Sequence, residues 1–333
     1  MQASASQMRW RRIFVASNPR HTDWSISTLR FVAMLCIVAC HICQLYGLAA
    51  AWVLNVGVQV FLVISGWLYG LHANFTDTNR WYGRRLVRIV VPYWLVLIPL
   101  LMADALLTAH VPTMKQVILS VTCVRSGLVP NGAHLWYVSA ILLCYLVTPL
   151  LGWLWSRWRF WPIVLFSAIL FAVGNRLVAE GMWCCCYVMA FGVGRLVRDG
   201  VPEAHALSGI AIICSVGCAV SGAISGMIAI SPYYLLHLFG GFLSFSLGKL
   251  AARSNPIVPG GCVERILKWS DKYSYEVYLT HQLLILGDFS LEIIFPENHV
   301  AVIVLAIAWS LTASFVLHQI SDLAYRVTGV ERG

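Results

Sequence analysis

The chain has 333 residues, of which 59% are hydrophobic and 11% charged, with 23 Lys and Arg against 14 Asp and Glu and a mean hydropathy of +0.77. Soluble domains carry roughly 25% charged residues, so this composition excludes a large soluble core and describes a polytopic membrane protein. The basic excess does not mark a nucleic-acid binder, because it follows the connectors between apolar runs.

In chain order, residues 1–24 form a basic arm with Arg9, Arg11, Arg12 and Arg20. It has neither the short apolar core nor the small-residue cleavage site of a removed leader, so the first span is expected to be an uncleaved anchor. Ten apolar spans are expected near 28–49, 52–71, 88–109, 135–155, 161–178, 183–197, 207–228, 232–251, 274–295 and 299–320. They form one integral domain over 25–320, with a short tail at 321–333. When the connectors are assigned alternately to two sides, Lys115, Arg125 and Arg176 fall opposite the N-terminus and the other 20 of the 23 basic residues fall with it. Cytoplasmic connectors are the Lys- and Arg-rich ones, so both termini are expected in the cytoplasm and the span count is expected to be even. The expected fold is an all-α membrane bundle of about ten helices.

Two connectors are long. Residues 252–273 contain Pro256, Pro259, Gly260 and Gly261 and are expected to be a loop followed by a short interfacial helix over 264–272. Residues 110–134 contain an apolar run at 115–124 that is too short to cross a bilayer. Trp52, Trp81, Tyr93 and Trp161, at span ends, fit interfacial aromatic belts. The eleven cysteines sit mostly within spans, where Cys behaves as a small apolar residue. Cys36, Cys40 and Cys43 share a helix face near His41, and Cys40 and Cys43 have CxxC spacing, but no second such pair and no paired His motif accompanies them, so no metal site is expected.

Four constellations can carry chemistry. Ten residues separate Arg30 from His41 in the first span. Eleven helical steps come to roughly 20° past three turns, so both lie on one face about 16 Å apart. Ionisable groups at such depth are costly and point to a site or pathway, against the alternative of an anchor and a packed imidazole. The second constellation is the connector Arg80 to Arg88, where Arg85 and Arg88, with Arg84 beside them, can clamp a phosphate or simply anchor to acidic lipid. The third is His134, Trp136, Tyr137 and Ser139 at the outer mouth of the fourth span, a titratable group with flat aromatic surface suited to a sugar. The fourth is Tyr275, Glu276, Tyr278, His281 and Gln282 in the ninth span, with Asp288 expected on the His281 face, which is either a lined interior or internally bonded packing.

These blocks together resemble the integral membrane acyltransferase 3 family. The resemblance is carried by Arg30 and His41, then Gly57, Phe61, Ser65, Gly66 and Trp67. It continues through Arg84, Arg85 and Arg88 with Pro92, Tyr93 and Trp94, then His134 and Trp136, and last Tyr275, Tyr278 and His281, in that order over residues 24–320. Two positions depart from the family pattern. Gln59 stands where an acidic residue is frequent, and Leu62 replaces a Phe.

The resemblance implies transfer of an acetyl or other short acyl group from cytoplasmic acetyl-CoA to a hydroxyl of an envelope glycan or lipid-linked saccharide. His41 would be the general base and Arg30, Arg84, Arg85 and Arg88 would hold the donor. His134, Trp136, Tyr278 and His281 would line the acceptor or thioester region, with Tyr278, Ser65 or Trp136 as oxyanion donor. A neutral imidazole suits that role because its pKa lies near working pH. The partners implied are acyl-CoA, the saccharide acceptor and membrane lipid, with no nucleic acid and no metal cofactor. A carrier or flippase for a glycolipid or small acid is the competing class, although no inverted repeat or pair of broken helices is visible.

Overall fold

Lipid offers peptide groups no hydrogen-bond partner, so a chain this apolar must close its backbone bonds within helices. The computed structural model describes residues 23–73, 77–178, 180–223, 232–254 and 260–328, and every regular element among them is helical. The basic arm before Asp23, Pro256 and Pro259 of the long connector, and residues 329–333 of the tail lie outside the described residues. The helices are α1 (Trp24–Leu45), α2 (Ala50–Leu54), α3 (Val56–His72), α4 (Thr78–Leu107), α5 (Met114–Val121), α6 (Trp136–Trp158), α7 (Trp161–Leu177), α8 (Cys184–Arg198), α9 (Glu203–Ala223), α10 (Pro232–Ser254), α11 (Cys262–Thr280), α12 (Leu291–Ile294) and α13 (His299–Thr328).

Among the described residues, seven stretches are long and apolar enough to cross a membrane, with α2 and α3 counted together, and α7 is a shorter apolar helix. The protein is a multi-pass membrane bundle. Two further expected spans are of another kind. Most of α8 is buried, including Cys184, Cys185 and Cys186 on its first turn, so it is a central strut surrounded by protein. In α11 the first turns are polar, with Glu264, Arg265, Lys268, Asp271 and Lys272, and the second half is buried. Apolar side chains such as Leu106, Leu107 and Val300 point outward over the bundle surface, as lipid requires.

The core is built on close backbone contact. A Cβ at Gly66 would lie 2.1 Å from the Tyr187 carbonyl oxygen, and one at Gly70 would lie 2.2 Å from that of Phe191. Only glycine lets α3 reach α8 so closely, and such contact replaces the hydrophobic drive that lipid removes. Lys249 of α10 ties further ends together through ion pairs to Asp23 at 2.6 Å and Glu203 at 2.9 Å. Lys249 Nζ also stands over the Trp67 ring of α3 at 5.9 Å, and Lys268 of α11 stands over the Trp24 ring at 6.0 Å. The starts of α1, α9 and α11 and the ends of α3 and α10 therefore share one end of the bundle, called here the basic end. The loops at 46–49, 108–113 and 285–290 lie at the other, where Tyr46 bonds Glu292 and His110 bonds Asp288.

Three expectations need correction. The Arg80–Arg88 stretch is not a connector but the first turns of α4, capped by the Asp77 carboxylate, which accepts from the Arg80 amide at 3.0 Å. The expected ninth span at 274–295 and the short helix before it are one helix, α11, that ends in a 3-10 turn at His281–Leu284. Asp288 therefore lies in a loop and shares no helix face with His281. Trp81 and Tyr93 are not belt residues, since both are buried and Tyr93 donates to the Ser120 carbonyl at 2.8 Å. Ser120 belongs to α5, the short helix formed by the non-crossing 115–124 run, whose start is closed by a Thr113–Gln116 capping box.

Gly66→Ala is expected to push α3 from α8 and destabilise the bundle by about 1–3 kcal/mol. Gly83→Ala in α4, where an added Cβ meets nothing within 4 Å, is expected to be neutral or mildly stabilising through helix propensity. Thermal unfolding of both variants in the same detergent measures the contrast.

Candidate active site

At the basic end the helices enclose a cavity of about 540 Å3. Positions 81, 85, 88 and 92 recur at helical spacing, so α4 turns Trp81, Arg85, Arg88 and Pro92 onto its wall together. Arg30 enters from α1, Ser65 and Tyr69 from α3, and Asp271, Lys272 and Glu276 from α11. Arg84 does not line it. Arg30 is paired with Asp271, and Glu276 lies 2.8 Å from His318 of α13. With Arg30, Arg85, Arg88 and Lys272 set against Asp271 and Glu276, the lining carries net positive charge. The Arg85 guanidinium stands over the Tyr69 ring at 5.3 Å, which holds the fork in place while leaving its edge for an anion.

Deeper in the bundle, a second cavity of about 60 Å3 shares Tyr137, Ser274 and Tyr275 with the first and ends at Tyr278. Beyond Tyr278 lie three imidazoles. The His41 ring is 5.1 Å from that of His281, which is 5.5 Å from that of His134. The Tyr278 ring is 6.0 Å from both His134 and His281, and its hydroxyl donates to the His134 carbonyl. One tyrosine side chain thus separates the small cavity from the histidines, and neither cavity is lined by His41 itself.

Each ring has one nitrogen bonded to an oxygen. His41 Nδ1 is 2.6 Å from Gln44 Oε1, one turn on. An amide oxygen accepts only, so Nδ1 carries the proton and Nε2 keeps its lone pair. His281 Nδ1 donates to the Tyr278 and Val277 carbonyls at 2.8 and 3.1 Å, and its Nε2 has no hydrogen-bond partner among the described residues. His134 Nε2 donates to the Leu279 carbonyl at 3.1 Å, which leaves Nδ1 without one. Neutral imidazoles in these tautomers present three acceptors, two from the buried His134 and His281 and one from the half-buried His41, an arrangement suited to receiving a proton from a hydroxyl.

The residues singled out from the sequence fall into separate groups. Arg30, Arg85 and Arg88 meet at the large cavity. His41, His134, His281 and Tyr278 meet at the cluster. Trp136 is half-buried beside Tyr137, at 6.2 Å between rings, and lines neither cavity. Gln44, Asp271 and Lys272 were not singled out for the site. Gln44 was findable, being three residues from His41 on the same helix, whereas the others are brought in by contacts between helices. Among the described residues, no group of three or more His, Cys, Asp or Glu side chains is placed to hold a metal ion, and all eleven cysteines are free thiols.

The molecule is thus a multi-pass helical bundle with a basic cavity at one end and a cluster of imidazoles behind it. A family model described as an acyltransferase domain matches residues 23–319, and the chain belongs to the acyltransferase 3 family. It is a membrane acyltransferase. No curated protein and no solved structure was found to match.

The rim opposite the basic end is tied by a polar knot. Asn131 Nδ2 donates to Asp104 at 2.6 Å and to Asp288 at 3.1 Å, while His110 Nδ1 lies 2.9 Å from Asp288. Through that hydrogen bond and its charge, Asp288 raises the His110 pKa above the ordinary imidazole value. The bonds from His110 and Asn131 hold Asp288 below the ordinary carboxylate value. The raised imidazole contributes fully below its ordinary pKa and loses its share as pH climbs through the raised one. The lowered carboxylate contributes above its ordinary pKa and loses its share as pH falls through the lowered one. The contact is therefore expected to be strongest between the two. Titration of the His110 ring by NMR is expected to give a pKa above about 6.5 that returns to the ordinary value in Asp288→Asn.

Proposed function

We propose that this protein moves an acetyl or other short acyl group from acyl-CoA, bound at the basic end, to a hydroxyl of an envelope glycan or lipid-linked saccharide. The reading takes the basic end as cytoplasmic and the membrane as the cytoplasmic one. That orientation rests on the asymmetry of Lys and Arg along the chain. The observation that carries the proposal is the sequence of compartments. A positively charged cavity narrows past Tyr137 and Tyr275 to Tyr278, and three imidazoles lie directly behind.

In this reading Arg85 and Arg88 grip CoA phosphates, because guanidinium forks match phosphate oxygens. The thin pantetheine arm runs along the tyrosines toward His41, and Tyr278 turns aside to admit the thioester. The acceptor oxygen bonds to the acyl carbon as its proton passes to His41 Nε2. The carbon–sulfur bond then breaks, and the proton leaves the imidazolium for the thiolate, giving an ester and free CoA. Gln44 keeps the proton on Nδ1 so that Nε2 faces the reaction as a base. His134, His281 and Tyr278 surround the reacting atoms, with Tyr278 as the available hydroxyl donor to the developing oxyanion, Ser65 lying back on the wall of the large cavity.

His41→Ala is expected to lower transfer of label from radioactive acetyl-CoA to a panel of envelope glycans by about 10²–10⁴-fold, with unfolding temperature unchanged. Arg85→Ala and Arg88→Ala are each expected to raise the KM for acetyl-CoA about tenfold or more, the loss of one charge-assisted bond. An unchanged KM would remove the phosphate grip. A folded protein in nanodiscs that labels no acceptor and instead moves a glycolipid chemically unchanged would be a carrier.

A further inference from the structure

We propose that Asp271 is a positioning residue, and that with Arg30 it forms a clamp setting the register in which α1 presents His41 to His281. The inference rests on the acyl-transfer reading for its consequence, although not for its geometry. Both helices run from the basic end toward the imidazole cluster and pack side by side. On α1, Arg30 precedes His41 by eleven residues; on α11 and its terminal turn, Asp271 precedes His281 by ten. At about 1.5 Å per residue those intervals are roughly 16 and 15 Å, so the two helices carry matched rulers. One end of the pair is joined by Arg30 and Asp271. The other end brings the His41 and His281 rings to 5.1 Å.

Both oxygens of the Asp271 carboxylate are engaged from α1. Arg30 Nη1 donates to Oδ1, and Ser27 Oγ, one turn earlier, donates to Oδ2. Between the two ends the seam is apolar: Met34 packs with Tyr273 and Val277, with Val38 alongside. An apolar seam resists separation but not sliding, since Met, Val and Tyr surfaces tolerate a shift along the helix axis. A charged pair with a second bond to the same carboxylate does not, because displacement would leave a carboxylate and a guanidinium facing each other without contact in a partly buried wall. The clamp therefore fixes how far α1 has advanced along α11. That advance decides whether the His41 ring stands beside that of His281 or a turn away from it.

This gives Arg30 a role distinct from that of Arg85 and Arg88, although all three line one cavity. A guanidinium committed to Asp271 contributes charge to the wall but acts on the reaction through His41. The spacing between Arg30 and His41 is then a property of two helices and not of one.

The test is a cycle of Arg30→Ala, Asp271→Asn, the double variant and the charge-exchanged pair Arg30→Asp with Asp271→Arg, each in nanodiscs. The first readout needs no cosubstrate. The single variants are expected to lower the unfolding midpoint by similar amounts and the double by no more than the larger single, as for two groups in direct contact. Additive shifts would overturn the clamp whether or not the protein turns over acetyl-CoA. The second readout is release of CoA from acetyl-CoA in the presence of envelope glycan. Each single variant is expected to lower kcat about tenfold or more with KM within about twofold, the pattern of a lost reacting geometry, and the exchanged pair is expected to recover most of kcat. A raised KM with unchanged kcat in Arg30→Ala, and no recovery on exchange, would make Arg30 a donor ligand and overturn the proposal. Wild-type protein that neither binds nor cleaves acetyl-CoA would defeat the functional reading alone, and the unfolding cycle would still decide the clamp.

Discussion

A charged or hydrogen-bonding side chain inside a lipid-embedded bundle must be answered by another polar group, and that requirement organises this molecule. Lys249 reaches two carboxylates, Glu276 is met by His318, and Arg30 is met by Asp271. Each of these joins different helices, and Arg30 with Asp271 and Lys249 with Asp23 join opposite halves of the chain. Charges therefore gather at helix ends and along one wall, while the outer surface stays apolar. The close approach of α3 to α8 through Gly66 and Gly70 supplies the rigid centre around which those ends are arranged.

The same requirement separates binding from chemistry. Basic residues concentrate in the wide cavity, where, in the proposed reading, an anionic cosubstrate would remain near water. The imidazoles lie beyond a layer of tyrosines, which in the proposed reading would shield a thioester from hydrolysis. Tyr137, Tyr275 and Tyr278 belong to both worlds, being apolar over their rings and polar at their tips. Their position makes them the boundary that a long, thin acyl carrier would have to pass.

Hydropathy made most of the bundle legible, because crossing lipid demands uninterrupted apolar windows. It misplaced the start of α4, since a run of arginines reads as a connector although Asp77 caps a helix there. It also split α11 in two, because the charged first turns and the buried second half differ in composition while sharing one backbone helix. The buried position of Trp81 and Tyr93 was hidden for a related reason: an aromatic residue at a span end has the same local pattern whether it faces lipid or a neighbouring helix. The candidate site divided along similar lines. Arg85 with Arg88, and Arg30 with His41, follow from helical spacing. The meeting of His41 with His281 and His134 does not.

Taken alone, the sequence determined a helical membrane architecture and which ionisable side chains lie along its spans, because composition and periodicity act over a few turns and need no partner; acyl transfer entered only through the family resemblance. The tertiary structure decided which of those side chains share a space. His41, His134 and His281 come from three distant parts of the chain, and Arg30 meets Asp271 from 241 residues away. Such contacts depend on how helices pack and at what register, and no local pattern encodes a register that two separate helices set together.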